Sequence, residues 1–130
     1  MSKDAAVALD LFIEAVTKKK ALNLVVLDVQ NLTSIADAFI ICSGQSNRQV
    51  NAIADAAVDH LTKHKIKPLS VEGTGEGHWV LLDYGDVVIH IFYEPVREFF
   101  DLEGLWVDAK RIETPALKKL QSSKKIRNEL

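Results

Sequence analysis

Two aspartates stand close together in the segment LLDYGDVV. Asp83 and Asp86 flank the pair Tyr84-Gly85, and Gly fits the positive φ that tight hairpin turns require. A two-residue turn at this pair would place the two carboxylates opposite each other, where they could hold a divalent ion for phosphoryl chemistry. Asp is also common beside tight turns, because its side chain binds nearby backbone N–H groups. We therefore predict a turn role for both aspartates and keep the metal site as the alternative.

Three other patterns have the residue types of functional sites. GTGEG at residues 73–77 is similar to a phosphate-binding loop, but a strand is predicted after it, and Glu76 would repel phosphate. His60 and His64 are four residues apart on a predicted helix, as a metal-binding pair would be, but no third ligand has a recognisable spacing. Ser46 lies in SGQS, which lacks the nucleophile elbow Gly-x-Ser-x-Gly. We interpret the three patterns as a hairpin connection, surface histidines and a helix cap.

The elements that must position these residues follow from the spacing of apolar side chains. Two amphipathic helices are predicted at residues 4–18 and 46–64, the second with a capping box of Ser46 and Gln49. Strands are predicted at residues 24–29, 38–43 and 69–73, followed by a hairpin at 78–92 and a short helix that opens at Pro95. The first two strands are nearly continuous apolar runs, which predicts burial on both faces. The order αββαβββα predicts a single α/β domain with a mixed five-stranded sheet and helices packed mainly on one face.

The predicted hairpin has two chemically different faces. A turn at Tyr84-Gly85 pairs Trp79 with His90 and Leu81 with Val88. Alternation then gives an aliphatic face, the predicted bed for the helices, made of Val80, Leu82, Val87, Ile89 and Ile91. The opposite face carries Trp79, Leu81, Val88 and His90, a mixture that is typical of a surface covered by a partner. The alternative is that residues 96–106, VREFFDLEGLW, fold back and bury Trp79 within the monomer.

Length and composition exclude several classes of protein. The 130 residues are enough for one domain with its own core, and 48% apolar with 26% charged residues is ordinary for a globular protein. No apolar run approaches the ~20 residues of a membrane helix, and an N-terminal segment with Asp4 and Asp10 does not fit a secretory signal. The single Cys42 lies in an apolar run, which predicts a buried thiol. We therefore expect a cytoplasmic protein.

Charge divides the chain into two parts. Residues 108–130 contain seven Lys or Arg and three Asp or Glu, a net charge of +4, which leaves −6 on residues 1–107. An acidic body argues against a large nucleic-acid-binding surface. We predict a folded domain at residues 1–107 and a basic C-terminal extension at residues 108–130, flexible or helical. Contact of the extension with RNA or with an acidic partner is the alternative.

Several motifs in order along the chain resemble those of the ribosomal silencing factor family, RsfS, also called Iojap-like. They lie within residues 5–107 and are VLDV, SIADAFIICSGQSNRQV, VEG, HWVLLDYGDVVIHIF and VREFFDLEGLW. The resemblance implies a protein that binds the large ribosomal subunit through ribosomal protein uL-fourteen. It further implies that the bound protein blocks joining of the small subunit and so represses translation, without catalysis, cofactor, metal or small-molecule substrate.

The resemblance also indicates site residues. The family's tryptophan and histidine on the hairpin match Trp79 and His90, which we expect at the interface together with Leu81 and Val88 on the same face. Arg97 and Leu102 match the family segment R-x-x-[YF]-[DE]-L-E and either border the interface or brace the sheet. The chain departs from the family pattern at two positions, where Phe100 replaces a common tyrosine and Gly104 replaces a common basic residue.

Two rival functions stay open. The family's fold is similar to the nucleotidyltransferase core, whose chemistry needs two carboxylates two residues apart on one strand and a third nearby. VLDV offers only Asp28, so we expect this topology without its catalytic carboxylates. The other rival is a homodimeric adaptor that uses the Trp79 face for self-association.

Overall fold

A computed structural model of the chain describes residues 3–120, with side chains from Leu9 onward. The elements in chain order are α1 (Lys3–Val16), β1 (Leu22–Asp28), β2 (Ala38–Gly44), α2 (Asn47–Lys63), β3 (Ser70–Glu72), β4 (Trp79–Asp83), β5 (Val87–Tyr93), α3 (Glu94–Phe100), α4 (Leu102–Leu105) and β6 (Lys110–Arg111). Residues 115–120 are also helical. Within this described part of the chain, no helix is long and apolar enough to cross a membrane.

The strands form one mixed sheet in the order β3-β4-β5-β2-β1-β6. β2 and β5 are parallel, and every other neighbouring pair is antiparallel. The α/β class and the mixed sheet are confirmed, but the sheet has six strands and not the five predicted. The sixth strand, Lys110–Arg111, pairs with Leu27 and Asp28. Two charged residues have no apolar alternation, so no strand pattern marks them in the sequence.

Burial of the first two strands differs. All seven residues of β2 are buried, as predicted for a central strand. The prediction is wrong for part of β1, because Leu22, Asn23, Leu24 and Val25 are only half-buried or exposed. β6 is too short to pair with that half of β1, so the half lies at the sheet edge.

The two long helices pack on one face of the sheet, as predicted. Their apolar stripes meet the aliphatic face of the hairpin in one core, whose buried members include Phe12, Ile13, Ile53, Leu61, Val80, Leu82, Ile89 and Ile91. The predicted cap of α2 is present, since Ser46 Oγ accepts a hydrogen bond from Gln49 N at 3.1 Å. Gln49 Oε1 in turn accepts from Gln45 N at 2.7 Å, which satisfies a second backbone donor at the start of the helix.

A second, smaller core lies on the other face of the sheet. Its buried members are Leu27, Val29, Ala36, Phe39, Ile41, Val88, Phe92 and Leu102. The short helices α3 and α4 cover part of this core, so residues 96–106 fold back over the second face as in the alternative considered above, but Trp79 is only half-buried.

Part of the predicted basic extension lies against the body. β6 joins the sheet, and Leu117 is buried in the core beneath the long helices. Ala116 N donates a hydrogen bond to Asp10 Oδ1 at 3.4 Å. The division of the chain at residue 107 stays a prediction. Residues 121–130, which carry Lys124, Lys125 and Arg127 of the predicted RNA contact, lie outside the described residues.

Candidate partner-binding face

The hairpin turn lies one residue later than the sequence predicts. Tyr84 N donates to Val87 O at 2.9 Å, so the two turn residues are Gly85 and Asp86, with Gly85 at φ +87°. Trp79 therefore pairs with Phe92 and Leu81 with His90, and the predicted pairs are wrong by two residues. A shift of two residues leaves every side chain on its predicted face, because side chains alternate with period two.

The two aspartates of the turn do not face each other, so the predicted opposition of their carboxylates is wrong. Asp83 Oδ1 accepts a hydrogen bond from Gly85 N at 2.8 Å, which is the turn role predicted for it. Asp86 lies in the turn itself, and its main-chain oxygen accepts from Asp37 N at 2.8 Å and Ala38 N at 3.1 Å. In the part of the chain with described side chains, no three His, Cys, Asp or Glu residues are grouped to hold a metal ion.

Trp79 and His90 are joined by a hydrogen bond on the second face of the sheet. Trp79 Nε1 donates to His90 Nδ1 at 3.2 Å, which requires an unprotonated Nδ1. The His90 side chain is buried, and desolvation lowers its pKa from 6.5 to about 4. At neutral pH the imidazole is therefore uncharged, with its proton on Nε2. No partner for Nε2 lies among the described residues.

Aromatic rings extend from this pair in both directions. The Trp79 ring stacks on Phe92 with centroids 4.8 Å apart and contacts Phe100 at 5.2 Å, and Phe99 meets Phe100 at 5.2 Å. On the other side Phe39 contacts His90 at 5.0 Å and Trp106 at 5.2 Å. We call this set the aromatic face, and it consists of Phe39, Trp79, His90, Phe92, Phe99, Phe100 and Trp106.

Only part of the aromatic face reaches solvent. Phe99 is 82% exposed and Phe100 48%, whereas Phe92 is fully buried. Leu105 and Val107, which flank Trp106 in the sequence, are also exposed. The face is thus open at the end formed by Phe99 and Phe100 on α3, next to a half-buried Trp79, and residues 105 and 107 add exposed apolar side chains near Trp106 in the sequence.

The six residues predicted to bind a partner occupy two depths. Trp79 and Leu81 are half-buried and reach the surface. Four others are buried in the monomer, namely Val88, His90, Arg97 and Leu102. Partner binding by all six residues stays a prediction. Trp79 and Leu81 are the ones that a partner could contact without a rearrangement of the protein.

Arg97 is buried through a polar network. Its Nε donates to Glu103 Oε1 at 2.8 Å, and its Nη1 donates to Ser43 Oγ at 2.7 Å. These bonds join α3, α4 and the end of β2. Cys42 is buried in the neighbouring strand position, and burial raises the pKa of its thiol to about 12, with Arg97 acting in the opposite direction. The predicted buried thiol is confirmed.

The other sequence patterns have structural explanations. His60 and His64 lie with their rings 4.9 Å apart, and burial lowers the pKa of His60, with the charge of Lys18 adding to the effect. In the GTGEG loop, Gly75 N donates to Asn51 Oδ1 at 3.0 Å, and Asn51 Nδ2 donates to Gly75 O at 3.3 Å. Asp28 accepts hydrogen bonds from the backbone and side chain of Gln30.

Sequence reasoning missed Phe92 and Phe39 as parts of this face. Phe92 has the same parity as Val88 and His90, so its place on the face was readable from strand alternation. Phe39 lies on β2, which pairs in parallel with β5 and sets Phe39 beside Val88. Pairing of strands that are distant in sequence leaves no local pattern, so that neighbour could not be read from the sequence.

The fold and the face define a single-domain α/β protein with long helices on one side of a mixed sheet and a partly covered aromatic surface on the other. Residues 2–129 match the family described as "Ribosomal silencing factor during starvation". The chain belongs to the ribosomal silencing factor family, RsfS. This match includes residues 108–129, which the resemblance had left outside the family region.

Individual relatives agree with this assignment. The "Ribosomal silencing factor RsfS" of Bacillus subtilis is 42% identical over 91 residues, which are 70% of this chain and 77% of the relative. The chloroplastic "Protein Iojap" of Zea mays is 38% identical over 102 residues, 78% of this chain and 44% of that protein. A solved structure of a protein from Chromobacterium violaceum is 34% identical, with a TM-score of 0.75, and the match covers 88% of this chain and 93% of that one.

Proposed function

We propose that this protein binds the large ribosomal subunit through ribosomal protein uL-fourteen and so prevents the small subunit from joining. The observation that carries the proposal is the family match, which spans residues 2–129 and is described as ribosomal silencing during starvation. Translation is repressed because a large subunit with the bound domain cannot form a complete ribosome. The proposed mechanism is steric, takes place in the cytoplasm, and requires no catalytic group or cofactor.

The aromatic face is the proposed docking surface. It combines exposed Phe99 and Phe100 with the half-buried Trp79, and tryptophan is the residue type most enriched among binding hot spots. Residues 1–107 carry a net charge of −6, which suits docking on a basic ribosomal protein better than on bare RNA. Contact of residues 108–130 with ribosomal RNA stays a prediction, and a steep loss of binding with salt would support it.

The test is a subunit-joining assay. Purified small and large subunits are mixed with the protein, the magnesium concentration is raised, and the mixture is separated on a sucrose gradient. We expect wild-type protein to keep the subunits apart and to comigrate with the large one. Trp79→Ala is expected to weaken binding to the large subunit roughly 30-fold, since truncation of a hot-spot Trp costs about 2 kcal/mol or more.

A matched control separates docking from general loss of an apolar side chain. Leu69→Ala removes a 75% exposed leucine beside the Gly85 turn, at the far end of β4 from Trp79. The control is expected to silence like wild type, and thermal unfolding of both variants checks that they are folded. Normal joining of subunits in the presence of wild-type protein would reject the proposed function. Silencing that survives Trp79→Ala would reject the aromatic face as the docking surface.

A second candidate is self-association through the same face. The observation in its favour is that the segment 99–107, which carries part of the aromatic face, exposes four large apolar side chains, namely Phe99, Phe100, Leu105 and Val107. A dimer that covers Trp79 would have to dissociate before it could bind a ribosome. This candidate would be supported if the molecular mass of wild type fell from dimer to monomer on dilution, while Phe99→Ser had the mass of a monomer at every concentration.

A further inference from the structure

The helix that carries the exposed phenylalanines is attached to the protein by a charged side chain. Among the seven residues of α3, all of them described, Arg97 is the buried one, with 7% of its surface exposed. Phe99 and Phe100 on the same helix are exposed. Val96 is the α3 side chain that packs, half-buried, against the smaller core, so the helix has little hydrophobic energy to fix its position and its polar bonds contribute much of the rest.

The bonds of Arg97 are suited to this task. The guanidinium is a rigid planar fork, and it uses two different nitrogens to bind Glu103 on α4 and Ser43 on β2. Ser43 is fully buried, and β2 is one of the two central strands of the sheet, so one arm of the fork reaches the interior of the fold. The other arm reaches α4, whose buried residue is Leu102.

The position of Phe100 depends on the same helix. Phe100 follows Arg97 by three residues, which places the two side chains on neighbouring positions of one helix face. The Phe100 ring contacts Trp79 at 5.2 Å. A rotation or release of α3 would therefore separate Phe100 from Trp79 and divide the outer end of the aromatic face.

We propose that Arg97 is a positioning residue, which holds α3 against the sheet so that Phe99 and Phe100 continue the surface of Trp79. This inference rests on the proposed function for its consequence, because the surface so formed is the one that would dock on the ribosome. Arg97 itself does not touch the partner. Its loss weakens binding because fewer molecules hold the aromatic face in its assembled form, and the dissociation constant rises by the inverse of that fraction.

A first experiment tests the positioning without a ribosome. NMR cross-relaxation between the Trp79 and Phe100 rings reports their contact, and a Trp106→Phe background removes the signals of the other indole. We expect the cross-peaks in wild type, their loss in Arg97→Met, and their weakening in Glu103→Gln. Arg48→Met, the same change at an exposed arginine on α2, is expected to keep them. Cross-peaks that persist in Arg97→Met would overturn the proposal.

Glu103→Gln tests the same bond with a smaller risk of unfolding the protein. Removal of Arg97 could unfold the chain, whereas the Glu103 side chain is 28% exposed and its amide replacement keeps the shape. If Arg97→Met does not fold, the decision falls on Glu103→Gln and on Ser43→Ala, each of which removes one partner of the guanidinium. Unchanged cross-peaks in both of these variants would reject the positioning role.

A second experiment tests the consequence through a double-mutant cycle. Arg97→Met and Phe100→Ala are each expected to weaken large-subunit binding about tenfold, and the double variant also about tenfold. If Arg97 bound the partner directly, the two losses would multiply to about a hundredfold. Multiplication of the losses would therefore overturn the proposal, and so would a Phe100→Ala variant that binds like wild type.

The two experiments separate this proposal from the proposed function. If wild-type protein does not bind the large subunit at all, the proposed function fails, and the cross-peaks still decide whether Arg97 positions α3. If wild type binds and Trp79→Ala does not, but Arg97→Met binds like wild type, the proposed function stands and the positioning proposal fails.

Discussion

Burial controls the chemistry of His90 more than any neighbouring charge does. Desolvation lowers its pKa to about 4, and Trp79 supplies an N–H donor that only the neutral imidazole can accept. Protonation would add a charge inside an aromatic cluster and place two N–H donors against each other. The histidine therefore acts as a neutral acceptor that orients the Trp79 indole, and it does so throughout the physiological pH range.

The lowered pKa of His90 predicts a loss of stability in acid. Between the unfolded pKa of about 6.5 and the folded pKa of about 4, the unfolded chain binds a proton that the folded chain does not. The contribution of the neutral His90 to the free energy of unfolding is thus fully present above about pH 6.5. It falls by about 3 kcal/mol as the pH approaches 4. Urea denaturation of wild type at intervals from pH 7.5 to 4 measures it.

His90→Gln is the control for the pH dependence, because glutamine can accept from Trp79 but does not titrate in this range. The free energy of unfolding of wild type minus that of His90→Gln is expected to fall as the pH falls, because only wild type carries the titrating imidazole. His60, whose pKa is also lowered, is present in both proteins and cancels. A difference that is independent of pH would contradict the burial argument.

At the scale of elements, the glycines of the GTGEG loop follow from backbone geometry. Gly73, Gly75 and Gly77 all have positive φ, at +86°, +96° and +68°. A Cβ on Gly73 would lie 2.1 Å from the main-chain oxygen of Trp79, at the start of β4. These glycines allow β3 to turn back tightly alongside β4, and no bound phosphate is needed to explain them.

Two alanine substitutions in this loop are predicted to differ sharply. Gly73→Ala combines an unfavourable φ with a clash against backbone, and we expect a loss of about 3 kcal/mol or more in the free energy of unfolding. Gly75→Ala has the same φ penalty, but nothing lies within 4 Å of its Cβ, so about 1 kcal/mol is expected. Chemical denaturation of both variants measures the difference, and equal losses would contradict the clash.

At the scale of the whole molecule, the chain builds two cores on opposite faces of one sheet, and they serve different purposes. The larger core lies beneath α1 and α2. The smaller core is shared between the sheet and the α3–α4 segment, and its outer rim is the aromatic face. The C-terminal helical segment at residues 115–120 completes the larger core through Leu117, which is 4% exposed.

Leu117 is therefore predicted to matter for global stability, although it lies in the segment that composition marks as an extension. Leu117→Ala removes a buried side chain from the larger core and is expected to cost about 3 kcal/mol. Lys118→Ala, at the neighbouring exposed position, is the matched control and is expected to change stability by less than about 0.5 kcal/mol. Comparable unfolding midpoints for the two variants would contradict a contribution of Leu117 to the stability of the larger core.

The sequence by itself determined the features that local periodicity encodes. The stripe and cap of α2, the continuous apolar run of β2 and the two faces of the hairpin are all readable from spacing, because each face of a helix or strand must match its environment. The predicted faces are correct although the turn lies one residue later, since the cross-strand pairs shifted by two residues. The motifs also indicated the family, which the match over residues 2–129 confirms.

Tertiary structure alone decided how much of the second face stays open. The β2–β5 pairing brings Phe39 beside Val88, and the bonds of Arg97 to Ser43 and Glu103 join α3 and α4 to the sheet. His90 is buried in contact with Phe39, Trp79 and Phe92, where it is a neutral acceptor. Phe39 and Val88 are 49 positions apart in the chain, and Ser43 and Arg97 are 54 apart. Contacts over such separations leave no trace in local periodicity, so burial and charge state on this face emerge only when the chain is folded.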